Sequence, residues 1–254
     1  MTTVILSGCN GKMGQVLTHM IAQQEDITIA AGFDTTPNAQ SGYPVYRSPA
    51  DCPITADCVV DFSHPSALTG LLDFCKKSSC GIVLATTGYS PEQISEIEAA
   101  AKEIRVFRSA NMSLGINVLM ALVRQTAKIL GDSWDIEIVE KHHNRKLDAP
   151  SGTALMLADA AADALSYTPE YVYDRHSRRQ SRDHREIGIS AVRGGTIVGE
   201  HDVIFAGTDE VLELRHTAYS REIFAVGAIR AAKYLSSLAA PGLYNMENLV
   251  SEVI

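Results

Sequence analysis

Thr3-Val4-Ile5-Leu6-Ser7-Gly8-Cys9-Asn10-Gly11-Lys12-Met13-Gly14 decides the fold. An apolar, β-rich run breaks at a glycine turn. From Met13 to Gln24 the apolar residues Met13, Val16, Leu17, Met20 and Ile21 then recur at helical spacing. The glycines stand in the order G-x-x-G-x-x-G. Between a strand and a helix, that spacing allows a tight turn and a close approach of backbone to a pyrophosphate. The helix start then offers unpaired N–H groups and the positive end of its dipole to the phosphates. A second strand, Ile27 to Asp34, ends on an acid 20 residues after Gly14, where a dinucleotide-binding unit keeps its ribose ligand. Gly8, Cys9, Asn10, Gly11, Lys12, Met13 and Asp34 are therefore expected to contact a dinucleotide. A carboxylate at Asp34 accepts hydrogen bonds from a ribose diol and repels a 2′-phosphate, and no arginine or lysine follows it directly. NADH is the expected cofactor, and Lys12 keeps NADPH possible.

Outward from this loop the pattern repeats. Cys58 to Phe62, Ile82 to Ala85 and Arg105 to Ser109 read as further strands separated by helices. Ser90-Pro91-Glu92-Gln93 carries a capping box with proline at the first helical position, and Ser113 can cap a helix to about Leu130. Ala85-Thr86-Thr87 and Ser109-Ala110-Asn111-Met112 end two strands at the carboxyl edge, where open α/β sheets bind ligands, so both join the expected cofactor site. After Gly131 strand-like runs cluster: Asp135 to His143, Glu186 to Arg193, Thr196 to Phe205 and Val211 to His216. Gly194, Gly195 and Gly207 read as hairpin turns between them, and Ser151 to Leu165 and Ser220 to Leu238 as helices. The fold class is α/β, with a Rossmann-type parallel sheet domain plus a second α+β domain whose mixed sheet is largely antiparallel. Residues 1–112 and 221–254 are expected to form the dinucleotide domain, and residues 113–220 a substrate-binding domain.

The chain has 254 residues, 46% hydrophobic, with a formal net charge of −8. That length sustains a core without disulfides or metal, and the acidic total argues against a nucleic-acid partner. No apolar run approaches a membrane span, and five irregularly spaced cysteines fit a reducing cytoplasm.

Glu140 to Ala154 is the segment richest in chemistry. Strand alternation puts Ile136, Ile138, Glu140 and His142 on one face and Val139, Lys141 and His143 on the other, so adjacent histidines diverge and no metal site is expected. Ser151-Gly152-Thr153 at a helix start suits a carboxylate, and His143 and Lys146 can add charge-assisted bonds to it. Glu140 is placed to orient the His142 ring. These residues point to an NAD-linked enzyme acting on a small carboxylate. A dinucleotide-sensing protein without turnover, or another NAD-linked reductase of the same architecture, would share the glycine loop and Asp34. Arg175 to Arg185 reads as a solvated basic face, with pairing to neighbouring subunits or steering of an anionic substrate as the other uses.

Glu140-Lys141-His142-His143-Asn144-Arg145-Lys146-Leu147-Asp148-Ala149-Pro150-Ser151-Gly152-Thr153-Ala154 resembles the E-x-H-H-x-x-K-x-D-x-P-S-G-T-A signature of the dihydrodipicolinate (4-hydroxy-tetrahydrodipicolinate) reductase family. The glycine loop, Ala110-Asn111 with Ser113, Arg193-Gly194-Gly195 with Val198 to His201, and Gly242 to Met246 extend the likeness over nearly the whole chain. Ala85 departs from it, since many members carry glycine there. The resemblance implies a homotetrameric enzyme of diaminopimelate and lysine biosynthesis, assembled through the second domain's sheet. It further implies hydride transfer from NAD(P)H to C4 of a cyclic dicarboxylate imine. His142 would be the proton donor and acceptor, with Lys146 a second donor, while His143 with the Gly152 and Thr153 backbone would hold the carboxylates.

Overall fold

The computed structural model describes residues 1–36 and 42–251. Contacts divide the chain into one unit of Met1–Leu114 with Glu222–Ile254 and another of Gly115–Arg221.

In chain order the first unit holds β1 (Thr2–Ser7), α1 (Lys12–Ile21), β2 (Ile27–Phe33), β3 (Val45–Tyr46), β4 (Cys58–Asp61), α2 (Leu68–Ser78), β5 (Gly81–Leu84), α3 (Pro91–Ala100) and β6 (Arg105–Arg108). The second holds α4 (Leu114–Leu130), β7 (Asp135–His142), α5 (Gly152–Ala162), β8 (Glu170–Val172), β9 (Glu186–Arg193), β10 (Gly199–Ala206) and β11 (Val211–Ala218). The chain returns to the first unit with α6 (Glu222–Ser237), β12 (Gly242–Tyr244) and α7 (Met246–Ser251).

The first sheet runs β12-β6-β5-β4-β1-β2-β3, and every pairing is parallel. β4 and β5 are buried at every residue, which is why they read as unbroken apolar runs rather than alternating ones. Alternate side chains feed two cores. Val4, Leu6, Val60, Val83 and Phe107 pack with α1 and with Ala225, Ala228, Ala232 and Leu235 of α6. Ile5, Phe33, Val59, Ile82, Leu84 and Val106 pack with α2 and α3 on the other face. α6 is fastened at two further points. Lys233 Nζ reaches Asp26 and Gln24 at 2.7 Å each, and Arg105 donates to the Leu235 and Leu238 carbonyls at 3.1 and 2.9 Å. The strand order reverses between β1 and β4, which places a ligand crevice at their carboxyl ends.

The second sheet runs β11-β10-β7-β9-β8. β7–β10 and β10–β11 are antiparallel, while β7–β9 and β9–β8 are parallel. One face is covered by α4 and α5, which bury Ile136, Ile138, Ile187, Ile189, Val203 and Phe205 against Leu119, Val123, Leu157 and Ala161. Strand alternation leaves Lys141, Glu200 and Asp202 on the opposite face, where Lys141 pairs with both acids at 3.1 Å and Arg215 with Glu200 at 2.6 Å.

Most predicted elements stand where their periodicity puts them, with the Ser90–Gln93 capping box formed at both bonds. Gly207 turns the β10–β11 hairpin, its amide donating to the Glu210 carbonyl at 3.0 Å. Gly194 and Gly195 do not make a hairpin, because β9 and β10 lie on either side of β7 and the connection must cross its end. The short strands β3, β8 and β12 carry too few residues to show a period. Among the described residues, no helix is long and apolar enough to cross a membrane.

Candidate active site

Each unit carries its own part of the chemistry. In the first, the loop after β1 explains its three glycines by contact distance. Gly8 takes φ +75°, and a Cβ there would stand 2.8 Å from the Phe62 carbonyl oxygen. A Cβ on Gly14 would stand 2.3 Å from the Gly8 oxygen and 2.6 Å from Cys9 Cα. Gly11 precedes α1 and supplies no side-chain cap, and the first helical bond is Gln15 N to the Gly11 carbonyl. The amides of Lys12, Met13 and Gly14 therefore have no acceptor inside the helix, as an anion site requires.

Asp34 follows β2 beside this loop. Its two oxygens accept from the Asn10 amide and the Thr36 amide at 3.0 Å each, so the acid also shapes the loop. Asn10 ties down further by donating its side-chain amide to the Thr36 carbonyl. Cys9 also anchors the loop to β2. Its amide points at the Phe33 carbonyl and its buried thiol lies against Gly32. Burial, then the charge of Asp34, pushes that thiol up to about 11, so it stays protonated and unreactive. Ala85–Thr87 and Ser109–Met112 follow β5 and β6 at the same sheet edge, with the Ala85 methyl packed on the α1–α6 core. One residue is new. The pairing of β2 with β3 brings exposed Arg47 into the groove lined by Gly8, Gly11, Asp34 and Thr35, although it lies 13 positions beyond the acid in the chain.

In the second unit, β7 ends on the predicted chemistry. Glu140 is fully buried and His142 is 12% exposed on the same face, with Nδ1 2.6 Å from Glu140 Oε2. Arg193 of β9 grips the same carboxylate with two nitrogens at 2.7 Å each, and the Ser151 amide donates to it at 2.9 Å. Burial raises the Glu140 carboxyl, but Arg193 and His142 outweigh it, so the group sits below the usual carboxylate range. An ionised carboxylate only accepts, hence Nδ1 of His142 carries its proton toward Glu140 and Nε2 faces away. Nε2 borders Gly199, where a Cβ would stand 3.1 Å from it.

His143 follows the last residue of β7. Burial, and then the nearby Arg145 and Arg221, lower its pKa. Lys146 pairs with Asp148 at 2.9 Å. At the start of α5 the Ser151 hydroxyl accepts from the Ala154 amide at 3.2 Å, and nothing lies within 4 Å of where a Gly152 Cβ would be, so the space over that helix end is open. His201 of β10 meets the His142 ring edge-on with centroids 5.2 Å apart, and bonds the Ser151 hydroxyl at 3.0 Å through Nε2. Arg193 lies 53 positions from Glu140 in the chain, and His201 lies 50 from Ser151. Sheet register alone brings them together, so no local pattern announces either.

The basic loop is largely committed within its own unit. Arg175 pairs with Glu186 at 2.8 Å, Arg178 with Glu170 at 3.1 Å, and Arg182 with Asp135 and Glu137 at 2.6 and 3.0 Å. The acids lie on β7, β8 and β9, over which the loop folds.

Two family descriptions match the chain, "Dihydrodipicolinate reductase, N-terminus" over residues 2–112 and "Dihydrodipicolinate reductase, C-terminus" over residues 115–250. The chain belongs to the dihydrodipicolinate reductase family. A relative from Caldanaerobacter subterraneus named 4-hydroxy-tetrahydrodipicolinate reductase is 51% identical over 252 residues, 99% of each chain. One of the same name from Clostridium botulinum is 46% identical over 98% of each. The dipicolinate-bound dihydrodipicolinate reductase of a Paenisporosarcina species shares the fold, with a TM-score of 0.81 at 24% identity over 98% of this chain and 99% of that one. As a dihydrodipicolinate reductase family member, the protein is an oxidoreductase with an NAD(P)-binding, Rossmann-type half.

Proposed function

We propose that the protein reduces 4-hydroxy-tetrahydrodipicolinate to tetrahydrodipicolinate with NAD(P)H, in the diaminopimelate and lysine route of the cytoplasm. The observation that carries this reading is the pairing of His142 with a buried, ionised Glu140 beside the open first turn of α5. That arrangement sets a proton donor next to a carboxylate subsite. Residues 1–112 and 221–254 then form the dinucleotide domain, and residues 113–220 the substrate and assembly domain. The face of the second sheet that bears Lys141, Glu200 and Asp202 is the surface through which we expect a homotetramer to form.

The cofactor fits the first unit, whose Gly8 and Gly14 leave a cradle that a Cβ would fill. The Lys12 and Met13 amides would hold the pyrophosphate and Asp34 the adenosine ribose, with Gly8 to Met13, Ala85 to Thr87 and Ser109 to Met112 around them. When bound, the dihydronicotinamide would supply the hydride that adds to C4 of the ring, with the 4-hydroxyl lost as water. His142, as imidazolium, donates the Nε2 proton to the ring, and the Glu140 carboxylate stabilises the charge on the histidine before the transfer. Lys146 donates a second proton or faces a carboxylate. His143 and the amides of Gly152 and Thr153 hold the carboxylates. Asp34 favours NADH, and Arg47 beside it keeps NADPH usable by meeting a 2′-phosphate.

The test is loss of NADH absorbance with substrate generated from aspartate semialdehyde and pyruvate. His142→Gln should lower kcat by about a hundred-fold with little change in KM, within the range general acid catalysis contributes. Silence of the wild type with both cofactors would favour a dinucleotide sensor instead.

A further inference from the structure

Glu140 has no exposure, so its charge must be met inside the protein. Arg193 meets it as a fork, Nη1 on Oε2 and Nη2 on Oε1, both at 2.7 Å. Each oxygen then has one further donor. Oε2 takes His142 Nδ1, and Oε1 takes the Ser151 amide. The Ser151 hydroxyl bonds His201, and the His201 ring returns to the edge of His142. A closed circuit therefore joins the end of β7, the start of α5 and β10, and Arg193 of β9 ties into it at Glu140. Glu140 and His201 are the titratable groups that touch the His142 ring from these elements, and Arg193 reaches it through Glu140. Burial and the charge of His142 lower His201 to about 4, which keeps it neutral and leaves Glu140 as the anionic partner.

We infer that Arg193 and Glu140 are positioning residues: the guanidinium fork clamps the carboxylate, and the carboxylate holds His142 in the Nδ1–H tautomer while tying the first turn of α5 to the same point. The proton donor and the carboxylate subsite thus move as one body, and a shift in one is felt by the other. Lysine cannot replace Arg193, because an ammonium is a single point charge and leaves the carboxylate free to rotate. The inference rests on His142 being the proton donor.

The experiment uses full-length Glu140→Gln and Arg193→Lys proteins, with ¹⁵N-histidine spectra at pH 9 read beside kcat and KM. The wild type should show Nδ1–H at His142. Both variants should show a substantial Nε2–H population, with kcat down ten-fold or more. KM for the dicarboxylate should rise by a smaller factor. Where Glu140→Gln does not fold, Arg193→Lys, which keeps the charge, decides alone. An unchanged tautomer, or kcat within two-fold of wild type while His142→Gln remains crippled, overturns the positioning role. Near-normal turnover in His142→Gln overturns the proton-donor reading and this inference with it.

Discussion

Replacing Gly14 by alanine tests the dinucleotide cradle at its tightest point. The new Cβ would lie 2.3 Å from the Gly8 carbonyl oxygen and 2.6 Å from Cys9 Cα and carbonyl carbon. Carbon contacts settle near 3.5–4.0 Å, so the loop and α1 must separate by about 1 Å. All three atoms are backbone, and no side chain can swing aside. One added carbon in a packed region costs about 1–3 kcal/mol, and here the displaced atoms are those that present the phosphate amides. A loss of about 2 kcal/mol in dinucleotide binding corresponds to about a thirty-fold weaker Kd. The assay is calorimetric titration with NADH, independent of turnover. Gly70→Ala serves as the control. Gly70 is exposed in α2 with nothing within 4 Å of its Cβ position. Alanine there should leave Kd unchanged and stabilise the protein by about 0.5–1 kcal/mol. Binding of NADH to the Gly14 variant within three-fold of wild type would refute the cradle.

Three further outcomes follow from single residues. The folded-state pKa of His201 is about 4 against an ordinary 6.5, so below pH 6.5 the unfolded chain binds a proton the native protein refuses. Stability should fall by about 3 kcal/mol between pH 7 and 4 from this group. His201→Gln should remove that part of the decline in urea unfolding, and an identical decline in both proteins would contradict it. Arg47→Ala should weaken NADPH binding ten-fold or more while NADH stays within two-fold, and equal losses for both would deny Arg47 the 2′-phosphate. Arg182→Ala strips partners from Asp135, Glu137 and the Ile136 carbonyl, so we expect about 2–4 kcal/mol less stability in denaturant. A loss under about 0.5 kcal/mol would mark the Arg182 cluster as an ordinary exposed pair.

What the sequence revealed was whatever repeats locally. The glycine loop between β1 and α1, the capped α3 and the shared face of Glu140 and His142 each depend on neighbours within a few positions, and they stand as read. Register is a different kind of fact. Gly194-Gly195 looks like a hairpin turn because hairpins are common, yet whether β9 and β10 pair depends on where β7 inserts. Arg193 and His201 join the site by the same route, since His142 sits opposite Arg193 and Glu140 opposite His201 across the sheet. Arg47 was hidden by β3, a two-residue strand that leaves no periodic trace. Arg175 and Arg178 are exposed, as the solvated reading expects, and what stayed hidden was the set of acidic partners on other strands that half-bury Arg182.

The returning helix α6 sets an order on biosynthesis. A ribosome delivers β1 to β6 first, but the face of that sheet bearing Val4, Leu6, Val60, Val83 and Phe107 is covered largely by residues after 222. Nascent chains of the first unit therefore carry an apolar face covered only by α1 while all of residues 115–221 are being made. At about 5–20 residues per second, that interval lasts about 5–20 seconds. The second unit is continuous in sequence and can close its own core during that time. Chains halted before α6 should be captured by chaperones or aggregate, while chains halted after Ser237 should escape.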